Sequence, residues 1–232
     1  MSISENYRQI AERVKNAENS SNRTPGSVKL MAVSKFHTSE EIEEAIKAGA
    51  TLFGENRVQE AAEKFPDLLK KHPEIELHMI GSLQRNKVKQ IVPIASCIQS
   101  VDRIELIEEI EKQCAKINKT MKILFEYHTG EESKSGFTSI EELTKAMHLI
   151  ENCPHIQPVG FMTMAPLTED KAVIEASFKK LVSISDIVKK LFPNYSLNEL
   201  SMGMTNDFET AISCGSTIVR IGTAIFGERK KQ

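Results

Sequence analysis

The chain has 232 residues, 40% of them hydrophobic, which is enough for one large α/β barrel or two small domains with a proper core. Its 30 lysines and arginines against 32 acidic residues leave a net charge of −2, so it lacks the electrostatic footprint of a nucleic-acid or anionic-lipid binder. Four widely spaced cysteines, Cys97, Cys114, Cys153 and Cys214, with no C-x-x-C pair argue against a disulfide framework and a zinc site.

The N-terminus, Met-Ser-Ile-Ser-Glu-Asn-Tyr, lacks the basic and apolar regions of a secretory signal, and no apolar run reaches membrane-spanning length. A cytoplasmic location is expected. Ile3 to Ala17 reads as an amphipathic helix, and Glu18 to Gly26 is a cluster of turn formers. From there short β-rich runs alternate with helical patterns. The runs are Val28 to Val33, Thr51 to Phe53, Glu76 to Ile80, Cys97 to Val101, Lys122 to Tyr127, Gln157 to Met162, Ser196 to Ser201 and Thr217 to Ile221. Helical spacing marks Ser39 to Ala48, Arg57 to Lys71, Asp102 to Ile117, Ser139 to Ile150 and Lys171 to Leu191.

Alternation without a hairpin signal implies parallel strands. About eight such units in this length predict a single (β/α)8 TIM-type barrel domain over residues 27–227. An extra N-terminal helix and turn occupy 1–26, and a solvated tail 228–232. An open doubly wound sheet would show a glycine-rich turn after its first strand, whereas here that strand runs into Val-Ser-Lys-Phe-His. The segment after the eighth strand is too short for a full closing helix, and no second domain is expected after it. The N-terminal helix is expected to cover the resulting gap in the outer ring.

A barrel of this kind builds its site from the C-terminal ends of its strands. The first strand ends at Ser34-Lys35. A lysine at the edge of a partly buried site loses hydration, which favours the neutral amine able to form a Schiff base. Lys35 is therefore a candidate nucleophile, acting on a substrate carbonyl as in an aldolase or carrying a cofactor. After the seventh strand comes Leu200-Ser-Met-Gly-Met-Thr-Asn-Asp207, and after the eighth Val219-Arg-Ile-Gly-Thr-Ala224. Glycines admit a close ligand, Ser201 and Thr223 add hydroxyl donors, and the helix starts that follow present free N–H groups. Asn206 with Glu209 resembles a helix-capping pair. These two loops are the recurrent phosphate site of the barrel.

Seven blocks in barrel order resemble one family. They are Ala32-Val-Ser-Lys-Phe36, Phe53-Gly-Glu-Asn-Arg-Val-Gln-Glu60, His78-Met-Ile-Gly-Ser-Leu-Gln-Arg-Asn-Lys87, Glu132-Ser-Lys-Ser-Gly136, Gly160-Phe-Met-Thr-Met164, Leu200-Ser-Met-Gly-Met204 and Val219-Arg-Ile-Gly-Thr-Ala-Ile-Phe-Gly227. The family is the pyridoxal phosphate homeostasis proteins, related in fold to the barrel domain of alanine racemase, the fold-type III class of pyridoxal phosphate (PLP) proteins. The resemblance implies a Schiff base between Lys35 and PLP. It implies phosphate contacts from Ser201, Gly222 and Thr223, with Met202 in the same site. It also implies Asn56, Ile80 and Gly81 near the cofactor, and Arg220 facing the ring nitrogen. A guanidinium there only donates hydrogen bonds, which favours an unprotonated ring and weakens the electron sink.

The function implied is PLP homeostasis or delivery and amino-acid balance, without strong catalysis. PLP-dependent apo-enzymes are the implied recipients, and a monomer is expected. The alternative is a PLP-dependent amino-acid racemase-like enzyme, which would need a second proton donor; a tyrosine from an added domain supplies it in the related racemases. A Schiff-base aldolase acting on a phosphorylated sugar shares the same lysine and phosphate cup. Lys134 is read as an accessory lysine that exchanges PLP with Lys35. Several positions depart from the family pattern. Arg57 stands where an aromatic residue is usual, Ser82 and Arg85 vary the loop after the third strand, and Glu126-Tyr-His128 replaces an asparagine-containing strand end. His78, on an apolar strand, reads as a hydrogen-bonded core residue.

Overall fold

The computed structural model describes residues 2–131 and 135–228. The chain enters α1 (Ile3–Ser20) through a reciprocal cap: Ser2 Oγ accepts from the Glu5 N–H, and the Glu5 carboxylate accepts from the Ser2 N–H. The helix runs past Ala17 because Glu18 is not yet a turn residue. Its buried carboxylate accepts from the N–H groups of Gly26 and Val28, at 3.0 and 2.7 Å, and ties the following turn to the helix end.

The alternating units then follow in order: β1 (Lys29–Val33), α2 (Ser39–Lys47), β2 (Leu52–Glu55), α3 (Val58–Lys71), β3 (Glu76–Met79), α4 (Val88–Ile91), β4 (Cys97–Val101), α5 (Ile104–Lys116), β5 (Met121–Glu126), α6 (Ile140–Ile150), β6 (Ile156–Met162), α7 (Lys171–Leu191), β7 (Glu199–Ser201), α8 (Phe208–Ser213), β8 (Ile218–Ile221) and α9 (Thr223–Phe226). A 3₁₀ turn at Arg85–Lys87 leads into α4. The strands are parallel and close into a barrel in sequence order, with β8 pairing back onto β1.

Period-2 alternation divides each strand between two environments. On β1, Ala32 belongs to the layer between barrel and helices, whereas Met31 and Val33 pack in a separate cluster with Leu52 and Ile218. In the outer layer Phe53, Phe65, Phe125, Phe161, Phe178 and Phe208 are fully buried. Each such side chain contributes about 1.5–3 kcal/mol relative to exposure. Gly160, with φ of +154°, lets β6 pass so close to β7 that a Cβ would sit 1.9 Å from the Glu199 carbonyl oxygen. The same spot carries the register shift between β5 and β6.

The closing elements α8 and α9 are short, and α1 fills the outer ring beside them. Arg13 pairs with Glu209 on α8 at 2.9 Å, Asn6 donates to the Ile225 carbonyl on α9, and Ser4 bonds the Glu44 carbonyl on α2. Among the described residues no helix is long and apolar enough to cross a membrane. All four cysteines are free thiols, three of them buried.

Candidate cofactor site

Because every strand is parallel, all eight C-terminal ends lie on one rim. Lys35 is half-buried on that rim, in a turn closed by the His37 N–H donating to the Ser34 carbonyl at 3.1 Å. The turn is strained. Phe36 adopts a φ of +68°, a left-handed conformation that costs an L residue about 1–2 kcal/mol. Its N–H donates to the Glu60 carboxylate at 2.7 Å, and the Lys64 ammonium donates to the Ser34 and His37 carbonyls. The end of β8 lies against the end of β1, since a Cβ on Gly222 would stand 3.3 Å from the Val33 carbonyl oxygen. Gly222 and Thr223 thus neighbour the Lys35 turn, and the first N–H groups of α9 have no acceptor within their own helix.

Asn56 and Gly81 meet on the adjoining arc. A Cβ on Gly81 would fall 2.2 Å from the Asn56 carbonyl oxygen, so only glycine allows this approach. Ser100 fixes the position by donating to the Gly81 carbonyl at 2.6 Å. The Asn56 Oδ1 is buried with no hydrogen-bond partner among the described residues, an arrangement that calls for a ligand donor. Ile80 packs on Met31, Val33, Leu52 and Ile218 and gives this arc an apolar floor.

A chain of polar side chains crosses the barrel interior beneath the rim. Gln99 Nε2 donates to His78 Nδ1 at 2.8 Å, Ser201 Oγ donates to Gln99 Oε1 at 2.7 Å, and Arg220 Nη1 donates to Ser201 Oγ at 2.8 Å. β4 and β7 are not neighbours in the barrel, so the bond from Ser201 to Gln99 spans the lumen. Burial holds His78 below the ordinary imidazole range against the pull of Glu76, which leaves Nδ1 free to accept. Arg220 also donates to the Ser201 and Thr163 carbonyls. Burial brings its pKa down to about 10, with Glu126 and Asp207 acting in the opposite direction, so it stays a cation.

The structure therefore gathers Lys35, Asn56, Ile80, Gly81, Arg220, Gly222 and Thr223 at one end of the barrel. Ser201 is there as well, but its single O–H proton is already donated to Gln99, so in this arrangement the hydroxyl serves Arg220. Met202 is buried, and its N–H is engaged by the Ile218 carbonyl. The Asn206–Glu209 cap is not formed. Asp207 precedes α8, and its carboxylate accepts from the Met204 N–H instead of capping the helix. Lys134 lies outside the described residues. Tyr7 and Tyr127 spend their hydroxyls on the carbonyls of Gly49 and Thr138.

Glu55, Glu60, Lys64 and Gln99 escaped the sequence reading. Glu55 ends β2 fully buried and accepts from Lys64 Nζ at 2.6 Å and Ser34 Oγ at 2.8 Å. Burial raises its pKa, and Lys64 opposes that rise. The available signals were a glutamate directly after an apolar run and a glutamine inside Cys97-Ile-Gln-Ser-Val101.

Residues 4–230 match the family model of the alanine racemase N-terminal domain. The pyridoxal phosphate homeostasis protein of Pasteurella multocida (strain Pm70) is 39% identical over 230 residues, covering 99% of this chain and 98% of that protein. The chain belongs to the pyridoxal phosphate homeostasis protein family. Among solved structures, an unknown protein from Bifidobacterium adolescentis is similar with a TM-score of 0.89 and 35% identity, over 96% of this chain and 94% of that one. PipY of Synechococcus elongatus PCC7942, solved with PLP bound, is similar with a TM-score of 0.81 and 32% identity, over 92% of this chain and all of that one. Arg57 stacks on the Phe36 ring, 4.8 Å from its centroid.

Proposed function

We propose that this chain binds PLP covalently through the Lys35 amine and serves intracellular PLP homeostasis or delivery and amino-acid balance, with little catalysis of its own. The observation that carries the reading is a similar protein solved with PLP bound, taken together with a rim on which Gly222 lies against Val33, two residues before Lys35. The residues present fit the group. The buried Asn56 Oδ1 lacks a partner among the described residues, Arg220 is a buried cation, and the start of α9 offers donors suited to a phosphate.

When bound, PLP supplies an aldehyde that takes up a primary amine with loss of water and a ring that withdraws electrons. Lys35 provides that amine. The N–H groups of Gly222 and Thr223 and the Thr223 hydroxyl would hold the phosphate, with Ser201 and Met202 at the neighbouring end of β7. Asn56, Ile80 and Gly81 would flank the ring. Arg220, oriented by Ser201 and Thr163, presents only donors to the ring nitrogen and cannot give up its proton to it. This leaves a poor electron sink and supports a carrier over a racemase.

The same reading has the protein act in the cytoplasm as a monomeric single-domain unit, with PLP-dependent apo-enzymes as recipients and Lys134 assisting exchange with Lys35. Equilibrium dialysis tests its two sources of affinity. Lys35→Ala should still bind PLP, since each charge-assisted bond to the phosphate contributes about 1.5–3 kcal/mol. Pyridoxal without the phosphate should bind that variant poorly. Thr223→Val should weaken retention by about ten-fold, or about 1.4 kcal/mol. Retention as tight as the parent's would remove the phosphate assignment.

A further inference from the structure

The turn that carries Lys35 has its strained residue in the place where turns of this kind ordinarily hold glycine. Phe36 is the third residue of the Ser34–His37 turn and has a φ of +68°. A phenylalanine leaves such a conformation unless its surroundings enforce it. Enforcement comes from one βα unit, β2 and α3. Lys64 Nζ donates to the carbonyls of Ser34 at 3.1 Å and His37 at 3.2 Å, while Glu60 Oε2 accepts from the Phe36 N–H at 2.7 Å. Lys64 is itself fixed by Glu55 Oε1 at 2.6 Å and Glu60 Oε2 at 3.5 Å, and Glu55 also accepts from Ser34 Oγ. Residues on both sides of Lys35 are thus tied down. On the outside, Arg57 covers the Phe36 ring and pairs with Glu60 at 3.7 Å.

A buried ion pair is a weak source of stability, because desolvation consumes most of the Coulomb gain. The Lys64–Glu55 pair, with Lys64 only 12% exposed and Glu55 not at all, is better explained by what it holds. We propose that Lys64, Glu60 and Glu55 are positioning residues: they keep the Ser34–His37 turn in its strained form and thereby present the Lys35 amine for covalent attachment. The proposal rests on the reading of Lys35 as the attachment point. None of the three needs to touch the cofactor.

Lys64→Met alone would strand a buried carboxylate, so the test uses Lys64→Met with Glu55→Gln, which keeps an acceptor for Ser34 Oγ. Three quantities are measured against the parent: hydrogen exchange of the amides over 34–37 in cofactor-free protein, the rate of PLP attachment followed by visible absorbance, and affinity for pyridoxine 5′-phosphate, which lacks the aldehyde. Exchange should quicken and attachment slow by about ten-fold each, while pyridoxine 5′-phosphate affinity stays within about two-fold. Adding Phe36→Gly should restore most of the attachment rate, because glycine adopts this φ without cost and no longer needs the clamp. A simple loss of packing would not be rescued in this way. Unchanged exchange in the double variant overturns the clamp whether or not the parent binds PLP. Slowed attachment that Phe36→Gly fails to rescue overturns the strain mechanism. A parent that attaches no PLP at Lys35 refutes the cofactor reading instead, and the exchange measurement still decides whether the clamp holds the turn.

Discussion

Gln99→Leu examines the polar chain that crosses the barrel interior. Gln99 is fully buried, and its amide serves both neighbours: Oε1 accepts from Ser201 Oγ, and Nε2 donates to His78 Nδ1. Leucine is close to glutamine in volume but leaves a buried hydroxyl proton and a buried ring nitrogen unpaired, each costing about 1–3 kcal/mol. The apolar side chain returns part of this through its own transfer free energy, about 1.5–3 kcal/mol. At the middle of these ranges, about 4 kcal/mol lost against about 2 returned, the net loss is about 2 kcal/mol, which for a domain of this size lowers the melting temperature by about 4–8 °C. Thermal denaturation of the cofactor-free parent and variant, followed by circular dichroism at neutral pH, measures it. A drop of less than about 2 °C would refute the view that this bridge carries net weight. It would also remove the reason for Arg220 to be oriented from below.

Gly81→Ala should weaken PLP binding by about ten-fold or more, since the new Cβ would meet the Asn56 backbone at 2.2 Å, whereas Gly26→Ala, with nothing within 4 Å, should leave binding unaltered; fluorescence titration compares them. His78 gives stability a pH dependence of defined sign. Burial depresses its folded pKa below 6.5, so the unfolded chain protonates first, and stability present above that value is lost as pH falls from it toward the depressed folded value. Urea denaturation at stepped pH should show this loss in the parent and a flatter profile in His78→Asn; identical profiles would exclude His78 as the cause. Racemase assays with alanine and other amino acids should give little above the background of free PLP, and turnover of about 1 per second or faster would establish an enzyme.

The barrel could be read from the sequence because each strand is a short apolar run between helical repeats, and the two signals have different periods. Errors fell where one signal was weak. Arg85 to Ile91 carries no readable pattern because a 3₁₀ turn followed by a one-turn helix is too short to show periodicity. β7 is shorter than the Ser196–Ser201 run, since Ser196 to Asn198 lie before the pairing begins. β2 extends instead to Glu55, a charged residue whose Oε1 is paired with Lys64 and Ser34 in a buried position. Lys35, Ser201, Arg220, Gly222 and Thr223 are legible as residue types at or just after strand ends, whereas Asn56, Ile80 and Gly81 are marked only by the family resemblance. Their partners are not legible, because the contacts from Gln99 to Ser201 and from Lys64 to Ser34 join positions far apart in the chain, which no local pattern records.

The most direct measurement of the central claim is borohydride reduction of the PLP-loaded protein followed by mass mapping of its peptides. Reduction makes the covalent bond permanent and so reports which amine carries it. The added cofactor mass should appear on the peptide that contains Lys35 and disappear in Lys35→Ala, even though that variant still binds PLP. Label mainly on another lysine, or none at all despite saturating PLP, would contradict the account.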